Sequence, residues 1–102
     1  MPQHVLTEVT ARVDPTREDD LMAGFRELLR SAVPDGLLRT ELLHGPEGHW
    51  RIQTLWRDRA ALDAMRAGSQ PPAAPALFRS VGADPSLTVL DVTAGHSVDS
   101  ET

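Results

Sequence analysis

Residues 37–56 read LLRTELLH-GPEG-HWRIQTLW, two runs rich in Leu, Ile, Thr and Trp on either side of Gly45-Pro46-Glu47-Gly48. Turn-forming residues between two strand-forming runs predict a β-hairpin. A turn confined to Gly45–Gly48 sets His44 opposite His49 and Leu43 opposite Trp50. Alternation then sorts the side chains into two faces. One carries Leu37, Arg39, Glu41, Leu43, Trp50, Ile52, Thr54 and Trp56. The other carries Leu38, Thr40, Leu42, His44, His49, Arg51, Gln53 and Leu55. A one-residue slip of a single strand breaks that sorting. Both sets contain large apolar residues, so cover is expected on both sides of the sheet. Helices can supply one side. A second copy of the chain is expected on the other, as a homodimer.

Outward from the hairpin, residues 4–13 (HVLTEVTARV) alternate as a first strand. Whether Glu8 or Val9 faces the helices is ambiguous from the alternation alone. Asp14-Pro15 reads as a helix start, and Glu18, Asp19 and Asp20 suit the positive end of a helix dipole. Leu21, Met22, Phe25, Leu28, Leu29 and Ala32 then form one apolar helical stripe, stopped by Pro34-Asp35-Gly36. Asp58 is expected to cap a second helix that ends near Gly68. A third short helix is expected over Ala73 to Val81, and SLTVLDV (86–92) closes the pattern as a last strand. The order β-α-β-β-α(α)-β is the ferredoxin-like, split βαβ arrangement: α+β, with a four-stranded antiparallel sheet. One domain is expected over residues 1–92, followed by a polar, disordered tail over 93–102.

Charge and composition narrow the partners. Fifteen acidic residues against ten basic ones leave a net charge of −5, which argues against nucleic acid as a partner. The chain has no cysteine, so disulfides, thiolate metal sites and a Cys nucleophile are excluded. No apolar run approaches the roughly 18 residues of a membrane span, so no membrane association is expected. The opening Met1-Pro2-Gln3-His4 lacks a basic stretch followed by an apolar one, and a cytoplasmic location is expected. No glycine-rich phosphate cradle is present, and the serines lack a nucleophile elbow.

The strand-1 pattern, Asp14-Pro15-Thr16-Arg17-Glu18-Asp19, Asp35-Gly36-Leu37-Leu38, the WRIQTLW run (50–56) and Gly82 to Val89 together resemble the antibiotic biosynthesis monooxygenase (ABM) domain family. The resemblance covers roughly residues 4–92. It implies a dimeric α+β barrel. It also implies one of several activities, among them cofactor-free oxygenation of aromatic polyketide anthrones or hydroquinones. On that resemblance Trp56 matches a cavity-lining Trp of the polyketide oxygenases. Their Asn four residues earlier is Ile52 here, and their Tyr six residues later is Leu62. A His that many members carry nine residues after the Trp is Met65. The polar set of the haem-degrading members is absent.

The candidate chemistry follows from the face assignment. Trp56 would stack on a flat aromatic ring, or else it is a core residue. Arg39 and Glu41, on the expected Trp56 face, would hold an anion and remove a proton, or else form a solvated pair. Trp50, Ile52, Thr54, Leu62, Met65, Phe78 and Arg79 are the expected substrate-binding residues. His44 and His49 beside Glu47 superficially suggest a metal site, but they have no recognised ligand spacing. The expected function is a cofactor-independent monooxygenase that uses O₂ on an aromatic, polyketide-type substrate in antibiotic or secondary-metabolite biosynthesis. A polyketide cyclase or isomerase and a non-catalytic small-molecule-binding protein are the alternatives.

Overall fold

The computed structural model describes residues 3–31 and 33–95. Strand β1, Val5–Arg12, buries Val5, Thr7, Val9 and Ala11, so Val9 faces the helices and Glu8 the opposite side. The Asp14 carboxylate accepts hydrogen bonds from the Thr16 amide at 2.9 Å and the Thr16 hydroxyl at 2.8 Å. Those bonds hold its pKa below the ordinary carboxylate value. They cap one 3₁₀ turn, Pro15–Arg17, and helix α1 begins after it, at Glu18–Arg30. The expected apolar stripe does face the sheet: Leu21 is fully buried and Met22, Phe25 and Leu28 half-buried, whereas Leu29 stays exposed. Ala32, the last residue of the expected stripe, lies outside the described residues.

Strands β2 (Leu37–His44) and β3 (His49–Trp56) form the hairpin. Helix α2 (Arg59–Arg66) is capped by Asp58, whose carboxylate accepts the Ala61 N–H at 2.8 Å. Helix α3 (Ala73–Ser80) and strand β4 (Ser86–Asp91) complete the domain. The sheet order is β2-β3-β1-β4 and all neighbours are antiparallel, as the ferredoxin-like reading requires. Thr93 to Gly95 carry no strand or helix, and the rest of the expected tail lies outside the described residues.

The hairpin register differs from expectation by one residue. His44 pairs with Trp50 rather than His49, and the pairing continues through Leu42 with Ile52 and Thr40 with Thr54. The cause is in the connection. Pro46–Gly48 forms a 3₁₀ turn with Glu47 and Gly48 at positive φ, and the Gly45 N–H closes it on the His49 carbonyl at 2.8 Å. His49 therefore belongs to the loop on the β2 side, although it still pairs with Arg12 of β1. An irregularity between Leu37 and Arg39 absorbs the extra residue, and Leu37 meets Trp56 again.

The slip exchanges the faces of β2. Thr40, Leu42 and His44 lie on the helix-covered side with Trp50, Ile52 and Thr54. Arg39, Glu41 and Leu43 lie on the other side, level with Leu55, Gln53 and Arg51. The helix-covered core falls into two clusters. The larger joins Val9, Trp50 and Ile52 to Leu21, Leu77 and Phe78, and the smaller joins Val5 and Trp56 to Ala61 and Leu62.

Gly36 links β2 to the smaller cluster. Its carbonyl accepts the Arg57 N–H at 2.7 Å, its φ is +85°, and a Cβ there would overlap the Ala61 Cβ. Gly82 has a similar φ of +79° with open space around it. A left-handed non-glycine residue costs roughly 1–2 kcal/mol, and overpacking adds about 1–3 kcal/mol. Urea denaturation should therefore show Gly36→Ala losing about 2–5 kcal/mol and Gly82→Ala only about 1–2 kcal/mol. Equal losses would show that the contact with Ala61 carries no cost.

Candidate functional site

Between the two core clusters lies a cavity of about 550 Å³. Its floor is the sheet, where Val9 and Ile52 come from the larger cluster and Trp56 from the smaller. Phe25, Leu28 and Leu29 of α1 form one wall, and Leu62 and Met65 of α2 form another. The exposed stretch Gly68 to Pro71 borders it as a rim. The volume is in the range of small-molecule sites, and the lining is mostly apolar.

On the sheet, the polar lining is one rung, while Ser31, Arg66, Ser69 and Gln70 lie elsewhere around the cavity. Thr40, Thr54 and Thr7 stand side by side on β2, β3 and β1, all facing the cavity. Thr7 and Thr54 are 7% and 6% exposed. The Trp56 indole N–H donates to Thr7 Oγ1 at 3.1 Å. The Thr7 hydroxyl points to the Thr54 carbonyl at 3.5 Å, longer than an ordinary O–H···O bond. Thr40 and Thr54 share one hydroxyl–hydroxyl bond of 2.9 Å. Among the described lining residues no Asp, Glu, His or Lys occurs, and the sole charged side chain is Arg66 at the end of α2.

Five of the expected site residues meet here: Trp56, Ile52, Thr54, Leu62 and Met65. Trp56 is both things it was expected to be, a cavity residue and a core residue, and its N–H is already engaged. The others lie elsewhere. Arg39 and Glu41 are on the far side of the sheet, with side chains 63% and 49% exposed and a 3.6 Å contact between them. This is the solvated pair rather than the cavity pair, and the slipped register is the reason. Trp50 belongs to the larger cluster, where it stacks on His44 at 4.0 Å and 9° and donates its N–H to Glu18 at 3.3 Å. Phe78 is fully buried in the same cluster. Arg79 does not line the cavity but is exposed in an adjoining depression that shares Pro72, Pro75 and Leu87 with it.

His44 and His49 also part company. His44 lies 3.5 Å from Glu18, while His49 Nε2 lies 3.0 Å from an Arg12 guanidinium nitrogen. No group of three or more His, Asp or Glu with metal-binding geometry exists among the described residues. The sequence reading missed Thr7, Thr40 and Arg66. Pairing His44 with Trp50 would have aligned Thr40 with Thr54, whereas Thr7 meets Thr54 through the separate pairing of β1 with β3.

A helix-backed antiparallel sheet flooring a mostly apolar cavity defines a small α+β domain suited to a largely apolar small molecule. The antibiotic biosynthesis monooxygenase family matches residues 4–71, two-thirds of the chain, and the protein belongs to that family. No curated protein matches it. Solved structures share the fold at low identity. A Caulobacter crescentus protein provisionally named an antibiotic biosynthesis monooxygenase is 20% identical over 91% of this chain and 92% of its own, with a TM-score of 0.72. A similarly named Deinococcus radiodurans protein is 17% identical over 96% and 99%, with a TM-score of 0.69. A Nitrosomonas europaea protein of unknown function is 17% identical over 96% and 97%, with a TM-score of 0.72. No helix among the described residues is long and apolar enough to cross a membrane.

The Thr7–Trp56 bond can be tested directly. Thr7→Val keeps the shape and leaves the buried indole N–H without an acceptor, which costs about 1–3 kcal/mol. Urea unfolding should show that loss together with an altered Trp56 emission. An unchanged midpoint would mean that the N–H finds another partner.

Proposed function

We propose that this domain is a cofactor-independent monooxygenase acting on an aromatic hydroquinone- or anthrone-like molecule held over Trp56, in a secondary-metabolite pathway. The observation that carries the reading is the largely apolar cavity of about 550 Å³, floored by Trp56, in a chain of this family. A flat ring would gain apolar burial against Ile52, Phe25 and Leu62 and stacking area from Trp56. Oxygenation of such a substrate starts from its anion, which gives an electron to O₂. Radical recombination then forms a C–O bond and a hydroperoxide. Loss of the remaining C–H proton and of hydroxide from the hydroperoxide leaves the carbonyl and water. The atoms balance as CH₂ plus O₂ giving C=O plus H₂O.

Among its described lining residues the cavity offers no Asp, Glu, His or Lys to remove the first proton. The substrate's own acidity must then supply the anion, and the protein's part is to bind it, hold it and exclude water. Glu41 is on the wrong side of the sheet for this step. The pH at which the rate rises should therefore follow the pKa of the substrate across a series of substituted anthrones. Product should gain oxygen in air and not under nitrogen, as read by mass spectrometry. A fixed inflection across the series would point to a protein base instead. The same lack of an acid or base favours one second reading, a non-catalytic binding protein. Ring-bearing ligands that quench Trp56 without any turnover in air would support that reading and refute the oxygenase.

A homodimer goes with this reading. The helix-free face of the sheet carries Leu6, Leu55 and Leu90 on one rung and Leu43 on another, with Leu43 39% and Leu90 42% exposed. A second copy seated there would remove these leucines from water. Sedimentation should give twice the chain mass for wild type and a shift toward monomer for Leu43→Glu. A wild-type monomer at micromolar concentration would overturn the dimer.

A further inference from the structure

Among the described residues the threonine rung and Arg66 have no partner that uses their full hydrogen-bonding capacity. Thr40 and Thr54 share a single bond, so one of their two hydroxyl protons is left over. The Thr7 proton reaches its acceptor only at 3.5 Å. Each of these hydroxyls already has one partner, and the donor capacity left over faces a mostly apolar cavity, whose other polar lining residues are Ser31, Arg66, Ser69 and Gln70. Arg66, exposed at the same cavity, makes no ion pair among the described residues, and no carboxylate lines the space around it. Arg12, Arg26 and Arg79 likewise make no ion pair with a carboxylate among the described residues, but of these four only Arg66 lines the cavity.

We propose that the ligand is an aromatic amphiphile that sets a hydroxyl or carbonyl oxygen on the Thr40–Thr54–Thr7 rung and an anionic group, such as a carboxylate, at Arg66. The inference rests on the cavity being the binding site. It adds two polar anchors to it. The rung supplies two donors and several lone pairs, so it accepts a phenol or a ketone. Arg66 favours an anion over a neutral or cationic end, in a chain whose net charge of −5 would otherwise repel one.

Four naphthalene probes separate the parts: naphthalene, 2-naphthol, 2-naphthoate and 6-hydroxy-2-naphthoate, each titrated against Trp emission. In wild type the hydroxyl and the carboxylate should each tighten binding, and the hydroxynaphthoate should bind best. A Thr40→Val/Thr54→Val variant should weaken both hydroxylated probes about 5- to 10-fold while leaving naphthalene unchanged, the loss expected for one hydrogen bond. Arg66→Gln should weaken both carboxylates about 3- to 10-fold, abolish their salt dependence and leave 2-naphthol unchanged. Unaltered naphthalene affinity also certifies that each variant is folded. Equal affinities for all four probes in wild type, or a hydroxyl gain that survives the double variant, would overturn this inference and leave the cavity reading standing. Failure of every probe, naphthalene included, would overturn both.

Discussion

The hydrogen bond from the Gly45 N–H to the His49 carbonyl decides how β2 meets β3, and with it which β2 side chains join the cavity side of the sheet. It makes the hairpin connection one residue longer than the Gly-Pro-Glu-Gly stretch. Because side chains alternate along a strand, that one residue turns all of β2 over. Thr40 then joins Thr54 and Thr7, His44 lies on Trp50, and the Arg39–Glu41 pair goes to the side without helices. The irregularity between Leu37 and Arg39 confines the change, so Leu37 still packs with the smaller cluster beside Trp56.

This arrangement explains how a mostly apolar cavity and a charged chain coexist. The buried rows of β1 and β3 alternate strictly, with Val5, Thr7, Val9 and Ala11 against Trp56, Thr54, Ile52 and Trp50. Their only polar members are threonines, which can satisfy themselves within the sheet. Glu8 lies on the other side, where Gln53 donates to it at 2.7 Å. The cavity's polarity is therefore a property of hydroxyl groups, the Gln70 amide and one rim guanidinium, not of buried charge, and no large desolvation cost arises.

The architecture was legible because its signals are local. The stripe of α1, the caps at Asp14 and Asp58 and the turn residues around both strands each report on a few neighbouring residues. Strand pairing in β2–β3 was not legible to the last residue. Gly45 and Pro46 mark a turn but do not say whether His49 belongs to it, and both registers keep apolar residues on both faces. Glu41 and Arg39 were misplaced for that reason alone. Trp56, Ile52 and Thr54 were placed rightly because β3 alternates between two covered neighbours. Arg66 carried no signal, since a lone arginine at a helix end reads as ordinary surface until the cavity beside it is seen.

The division of the core has a consequence for the protein's persistence in a cell. The helix-covered side is closed by two separate clusters with an empty interval between them, and the smaller has only four buried residues. A molecule filling the interval completes the interior and joins the two halves. At a hundredfold excess over its dissociation constant it would add about 2.7 kcal/mol to the folded state. For a domain of this size that is a large share of the total stability. Unliganded chains would open at the α2 half first and be degraded first. The amount of this protein would then track the supply of the small molecule it holds, with no regulatory site needed.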